Sequence, residues 1–238
     1  MTETISLELH DRVARITLDD GKVNAMTFAF FAALNAALDR VERERPGALV
    51  IAGRAGAFSA GLNLKVLPTL PPDELGRTMV AFGRTMLRVF TFPVPTVAAV
   101  SGHAIAGGAM LAFACDLRVM AEGPFRLHLN EVAIGLPLPT WAIMLAHAAV
   151  PPRFHTEAIL HARAYSPDEA LERHLVHAVA RPAERVAEDA HAAAAPLAAL
   201  DQKAYAISKA RHRAMAVEWA TARLESEIGA LPGRVAIK

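Results

Sequence analysis

Two short strings of small residues carry the most distinctive chemistry of the chain. They are Ala57-Phe58-Ser59-Ala60-Gly61-Leu62-Asn63-Leu64 and Ser101-Gly102-His103-Ala104-Ile105-Ala106-Gly107-Gly108-Ala109-Met110. Each follows an apolar run that reads as a buried strand, and each opens into a helical pattern. The first N–H groups of a helix have no partner within it, so two such turns can aim two free donors at one point. Two N–H donors converging on one carbonyl form an oxyanion hole, which stabilises an enolate or a tetrahedral intermediate. A carboxylate follows in Leu129-Asn130-Glu131-Val132-Ala133-Ile134-Gly135. The combination points to proton chemistry beside an activated carbonyl.

These groups need a frame. Residues 5–10 and 13–18 alternate apolar and polar side chains, which predicts a hairpin around Asp11-Arg12. Thr27 to Glu44 carries Phe28, Phe31, Leu34, Leu38 and Val41 at helical spacing and stops at Pro46-Gly47. Ala48 to Ala52 and Thr96 to Val100 read as buried strands feeding the two turns, with a proline-rich stretch (Pro68, Pro71, Pro72) and a helix from about Asp73 to Val89 between them. A helix over Gly107 to Ala114 leads to a strand over Leu117 to Met120, and Phe125 to His128 is strand-like. This alternation predicts an α/β fold of repeated β-β-α units with mixed sheets packed by helices. From Pro151 onward the pattern reads as entirely helical, Ala-rich over Ala183 to Leu200 and amphipathic over Asp201 to Ile228. The expected organisation is a core over residues 1–182 and a C-terminal helical oligomerisation segment over residues 183–238.

Composition excludes several classes. With 238 residues, 53% of them hydrophobic, the chain can bury a sizeable core in one domain. A formal net charge of +1 without a basic stripe argues against nucleic acid as a partner. Cys115 is the only cysteine, so an intrachain disulfide is impossible. The N-terminus enters a strand pattern directly with no signal-peptide segment, and no apolar stretch is long enough to span a membrane. A cytoplasmic globular protein is expected.

The two turns, in this order and followed by Asn-Glu-x-x-x-Gly, resemble the crotonase (enoyl-CoA hydratase/isomerase) superfamily. The likeness begins at Gly21-Lys22-Val23-Asn24-Ala25-Met26. It continues through Phe92-Pro93-Val94-Pro95-Thr96-Val97-Ala98-Ala99-Val100 and Cys115-Asp116-Leu117-Arg118-Val119, and reaches Ala164-Tyr165-Ser166-Pro167-Asp168-Glu169-Ala170. Five segments in family order cover roughly three quarters of the chain.

The resemblance implies roles. The oxyanion donors would be the N–H groups of Leu62 and Gly107, and Glu131 the catalytic acid–base. An acyl-CoA thioester would be the substrate, with coenzyme A carried as part of it and no separate cofactor. Ala60, Leu62 and Leu64 resemble the family's adenine-contacting strip, and Lys22 is a candidate for the phosphates. Val23, Asn63, Ala106 and Met110 complete the expected substrate-binding set. The C-terminal helices imply a homotrimer or a dimer of trimers.

Met110 separates the family's activities. It lies three residues after Gly107 on the same helix, so its side chain falls on the face beneath the donor. The family's hydratases usually have a glutamate there, which positions water with the second glutamate; methionine has no proton to exchange. An apolar residue at this place with Asn-Glu further on resembles the mitochondrial type of Δ3,Δ2-enoyl-CoA isomerase, which uses a single glutamate. The alternatives are a hydratase relying on Glu131 alone or on a carboxylate such as Asp73 or Glu74, and an acyl-CoA-binding paralogue without turnover. Burial among Leu129, Val132, Ile134 and Leu136 is expected to raise the Glu131 pKa. His174 and His177 lie one turn apart with no third ligand evident, so no metal is expected there. His103 and His128 read as packing or hydrogen-bonding residues, and Asp116 as structural.

Overall fold

The computed structural model describes residues 4–229. The last residues of the expected oligomerisation segment, 230–238, lie outside the described residues. The chain runs β1 (Ile5–His10), β2 (Val13–Leu18), α1 (Phe28–Glu44), β3 (Ala48–Gly53), β4 (Gly56–Ser59), α2 (Pro72–Phe90), β5 (Thr96–Val100), β6 (Gly102–Ile105), α3 (Gly107–Ala114), β7 (Leu117–Ala121), β8 (Leu127–His128) and α4 (Thr140–Ala149). It continues with α5 (His155–Ile159), β9 (Ala164–Tyr165), α6 (Pro167–Glu172), β10 (Ala178–Ala180), α7 (Val186–Leu197) and α8 (Gln202–Gly229).

Two mixed sheets result, as the alternation predicts. The larger has strand order β1-β2-β3-β5-β7-β10, and the smaller β4-β6-β8-β9. In the larger sheet β1 is antiparallel to β2, and every later neighbour is parallel. Its central strands are covered on both faces, which is why they read as continuous apolar runs. Leu49 and Ile51 of β3 join the core built with Phe31, Leu34 and Leu38 of α1. Ala48, Val50 and Ala52 of the same strand pack with Val186, Ala190 and Ala194 of α7.

One expectation changes here. The chain after Pro151 is not wholly helical, because β9 adds to β8 and β10 adds to β7. These strands are two and three residues long and owe their conformation to the neighbouring edge rather than to a local pattern. Helix α7 covers one face of its own chain's larger sheet. Its small alanines let it approach the sheet closely.

Helix α8 is anchored by Asp116. This carboxylate accepts from Tyr205 Oη at 2.9 Å, Lys209 Nζ at 2.8 Å and Arg213 at 2.7 Å, and also from Thr96 N at 2.7 Å. The cations beside it hold its carboxyl below the usual value despite burial, so the expected structural role is the observed one. The helix keeps apolar residues on its outside, with Met215 85% exposed and Ile207 and Trp219 exposed as well. Among the described residues no helix is long and apolar enough to cross a membrane.

Candidate active site

Strands β4, β6 and β8 are consecutive parallel neighbours, so their carboxyl ends leave the smaller sheet at one edge. Leu62 follows the end of β4 by three residues, Gly107 follows β6 by two, and Glu131 follows β8 by three. Adjacent strands lie about 4.8 Å apart, which sets the scale on which the three groups are delivered side by side.

The first turn is built by Asn24 and Ser59, both buried. Asn24 Nδ2 donates to Leu18 O at 2.9 Å, Ala57 O at 3.2 Å and Phe58 O at 3.1 Å. Ser59 Oγ donates to Asn24 O at 2.7 Å and accepts from Gly61 N at 3.1 Å. Gly61 has φ +77°, and a Cβ on it would lie 2.8 Å from Gly107 N. No side chain fits between the two turns, and this close approach brings Leu62 next to Gly107. The main chain of Met26 brackets Leu62, accepting from Asn63 N at 2.9 Å and donating to Gly61 O at 2.8 Å.

The second turn passes through Ala106 at φ 51° and ψ −118°, a strained conformation for a residue with a Cβ. Ala106 N donates to His128 O at 2.8 Å, and Ala106 O accepts from Met110 N at 3.0 Å. Gly107 is the first residue of α3, so its N–H has no intrahelical acceptor. Neither it nor Leu62 N–H enters any of the loop, turn or cap hydrogen bonds of the described residues. The helix N-terminus adds partial positive charge at the same place.

Glu131 caps a short 3-10 turn, Val132–Ile134, and is only 8% exposed. Its Oε2 is buried and accepts no hydrogen bond from the described residues. Burial pushes its carboxyl up to about 7, as expected from its apolar neighbours, though Val132 itself is exposed.

Met110 is 2% exposed on α3, one turn below Gly107. A Cβ on Gly107 would meet Phe82 Cζ at 2.9 Å and Met26 Sδ at 3.1 Å. The surroundings of that donor are apolar.

The remaining expected contacts divide. Lys22, Val23, Ala60 and Leu64 are exposed. Ala60 N donates to Val23 O at 2.9 Å, which joins the 22–23 turn to the turn that carries Leu62. The Asn63 side chain is occupied locally, accepting from Lys65 N at 3.1 Å and Val66 N at 3.2 Å. Asp73 and Glu74 are exposed in the first turn of α2, where Asp73 pairs with Arg77 at 3.5 Å. His177 Nδ1 accepts from Arg118 N at 3.2 Å and is held low by burial.

Two residues act as supports through distant partners. Asn24 was legible only as part of a motif, and the carbonyls it binds lie up to 34 residues away. His128 Nε2 contacts Ala162 O at 2.7 Å, also 34 residues away. No local sequence signal reports either contact.

Comparison with known proteins agrees with this geometry. The enoyl-CoA hydratase/isomerase family matches residues 8–231. The chain belongs to that family. A Thermus thermophilus protein provisionally named as an enoyl-CoA hydratase is 41% identical over 157 residues, 64% of this chain and 61% of its own length. Human mitochondrial enoyl-CoA delta isomerase 1 is 28% identical over 204 residues, 84% of this chain and 67% of that protein. Among solved structures, an enoyl-CoA isomerase of Mycobacterium tuberculosis superposes with a TM-score of 0.89 at 35% identity, covering 97% of this chain and 99% of its own. An enoyl-CoA hydratase of Mycobacterium ulcerans gives 0.89 at 33% identity, covering 95% and 98%. Family members of nearly equal similarity thus carry both activity names, and the choice between them rests on individual residues.

Proposed function

We propose that this family member is a Δ3,Δ2-enoyl-CoA isomerase in which Glu131 is the sole acid–base residue. The carrying observation is a buried carboxyl, Glu131, whose Oε2 has no hydrogen-bond partner among the described residues, together with a buried methionine, Met110, where a second carboxylate would be needed to hold water.

In this reading the N–H groups of Leu62 and Gly107 donate to the thioester oxygen of a 3-enoyl-CoA. Glu131 removes a proton from C2, and the C–H electrons pass through C1 to that oxygen, giving a planar dienolate. The protonated Glu131 then delivers the same proton to C4. Electrons return from the oxygen, and the double bond moves from the 3,4 to the 2,3 position. Each oxyanion donor is expected to contribute roughly 3 kcal/mol to the transition state. A carboxyl titrating at about 7 suits a group that must both take and return a proton. Lys22 would meet the coenzyme A phosphates, and the strip at Ala60, Leu62 and Leu64 the adenine. The outward residues of α8 would face further copies of the chain in a trimer.

Hydration is the second reading, favoured by the family's shared nomenclature. It would need Glu131 alone to manage water, since Asp73 and Glu74 are exposed and Asp73 is ion-paired.

The experiment follows the proton. A 3-enoyl-CoA deuterated at C2 should give a product carrying deuterium at C4 in excess of solvent exchange. Complete washout even in the first turnover would argue against return of the proton by one enclosed carboxyl.

A further inference from the structure

The amino end of β2 carries a cluster that acyl-CoA chemistry does not use. The β1–β2 turn lies there, roughly 17 Å along the strand from Leu18, whose carbonyl oxygen supports the first oxyanion turn through Asn24. His10 Nδ1 is 3.2 Å from Asp11 Oδ2 in this turn. Across from it, the rings of His10 and His191 meet edge to face with centroids 5.3 Å apart. One ligand atom from each of His10, Asp11 and His191 lies within 4.8 Å of the other two.

We infer that His10, Asp11 and His191 form a surface site for a zinc-class divalent transition metal that ties the β1–β2 turn to α7. Two imidazole nitrogens and one carboxylate oxygen are a donor set that Zn2+ accepts, with water in the fourth position. Zinc–ligand bonds of about 2.0–2.1 Å place tetrahedral donors roughly 3.3–3.5 Å apart. The His10–Asp11 pair, at 3.2 Å, is already close to that separation, and the exposed His10 and Asp11 side chains can close the rest by rotamer adjustment. An ordinary His–Asp ion pair explains two of these residues. It does not explain the second imidazole brought in from another element.

The backbones beneath the three side chains are fixed, while the His10 and Asp11 side chains are exposed. Arg12 O accepts from Gly47 N at 2.6 Å and Ala48 N at 3.2 Å, which anchors the turn on the start of β3. On α7, Ala190 and Ala194 are buried against the sheet on either side of His191 in sequence. Metal binding therefore needs little ordering of the main chain. Because the ion would bind the folded state and bridge two elements, it should stabilise the fold by mass action.

The test is a titration of the chelator-treated, full-length protein with zinc chloride at about pH 7.5, where histidine is mainly neutral. Calorimetry should show saturable binding of one ion per chain, with a rise in Tm on saturation. His10→Ala and His191→Ala should each weaken binding at least about tenfold, Asp11→Asn less, and all three should keep wild-type isomerase activity. His155→Ala, which disrupts the other close histidine pair (His147 and His155, centroids 4.3 Å apart), should leave binding unchanged. Magnesium, which prefers oxygen ligands, should not compete. Absence of saturable zinc binding would overturn the site, and so would binding that survives in both the His10 and His191 variants. Because these readouts do not use enoyl-CoA turnover, their failure leaves the catalytic reading untouched.

Discussion

The carbonyl oxygen of His128 accepts the N–H of Ala106 at 2.8 Å. This bond joins the two working parts of the site, because Ala106 precedes the Gly107 donor and His128 lies three residues before Glu131. A strained alanine at φ 51° holds its place when its surroundings over-determine it, and β8 is one of those surroundings. The His128 ring extends the chain of contacts to Ala162 O at 2.7 Å; a carbonyl oxygen only accepts, so Nε2 carries the proton.

His128→Ala should therefore affect turnover more than binding. Loss of one hydrogen bond should lower stability by roughly 1 kcal/mol. A loosened β8 should reduce kcat about tenfold with little change in KM, since misplacement by an ångström is costly to reacting groups. His128→Gln keeps a donor and should recover part of kcat. Equal losses in both variants, or a change confined to KM, would contradict a positioning role.

Glu131→Gln keeps the side chain's shape and removes its proton acceptor. Activity should fall by roughly 100- to 10,000-fold, while binding of a substrate analogue survives because the oxyanion donors are untouched. Steady-state rates and calorimetric binding check the two halves. Activity within a few-fold of wild type would remove Glu131 from the mechanism.

The pH dependence follows from burial of the same carboxyl. Its folded-state pKa is raised from 4.5 to about 7, and in the proposed mechanism the ionised form is the base that starts the reaction. The acid limb of kcat/KM should accordingly have its midpoint near 7, with activity rising as pH increases through it. Stability runs the other way. The folded state holds the proton more tightly than the unfolded state, so this group's contribution is fully present below 4.5 and lost as pH rises through about 7. The displacement corresponds to at most about 3 kcal/mol. Denaturation at about pH 8 should find Glu131→Gln more stable than wild type, with the advantage vanishing at about pH 4.

Met110→Glu places a second carboxylate one turn below Gly107. Hydration of a 2-enoyl thioester should rise from its low starting value. Stability and isomerase activity should both fall, because two nearby buried carboxylates cannot readily ionise together. Paired assays and a melting curve decide it. An unchanged ratio of hydration to isomerisation would show that Met110 does not separate the activities.

Much of this site was legible because its parts are local. The turns are strings of small residues in which Gly61 and Gly107 meet almost atom to atom, and few residue types survive such contact. Glu131 stands out as a charge among apolar neighbours. What escaped was non-local. The partners of Asn24, His128 and Asp116 lie far away in sequence and leave no local trace, and β9 and β10 are too short to show a period. The packing of α7 on the larger sheet was not legible either, because alanines without larger apolar residues give little sign of the sheet they cover.

The central claim is that an apolar wall and a single carboxyl make this site an isomerase. Its most direct measurement is a parallel assay of the unmodified protein with a 3-enoyl-CoA and the matching 2-enoyl-CoA. The 3-enoyl substrate should be converted rapidly, and water should add only weakly to the 2-enoyl one. Efficient hydration with no 3-enoyl isomerisation would contradict it.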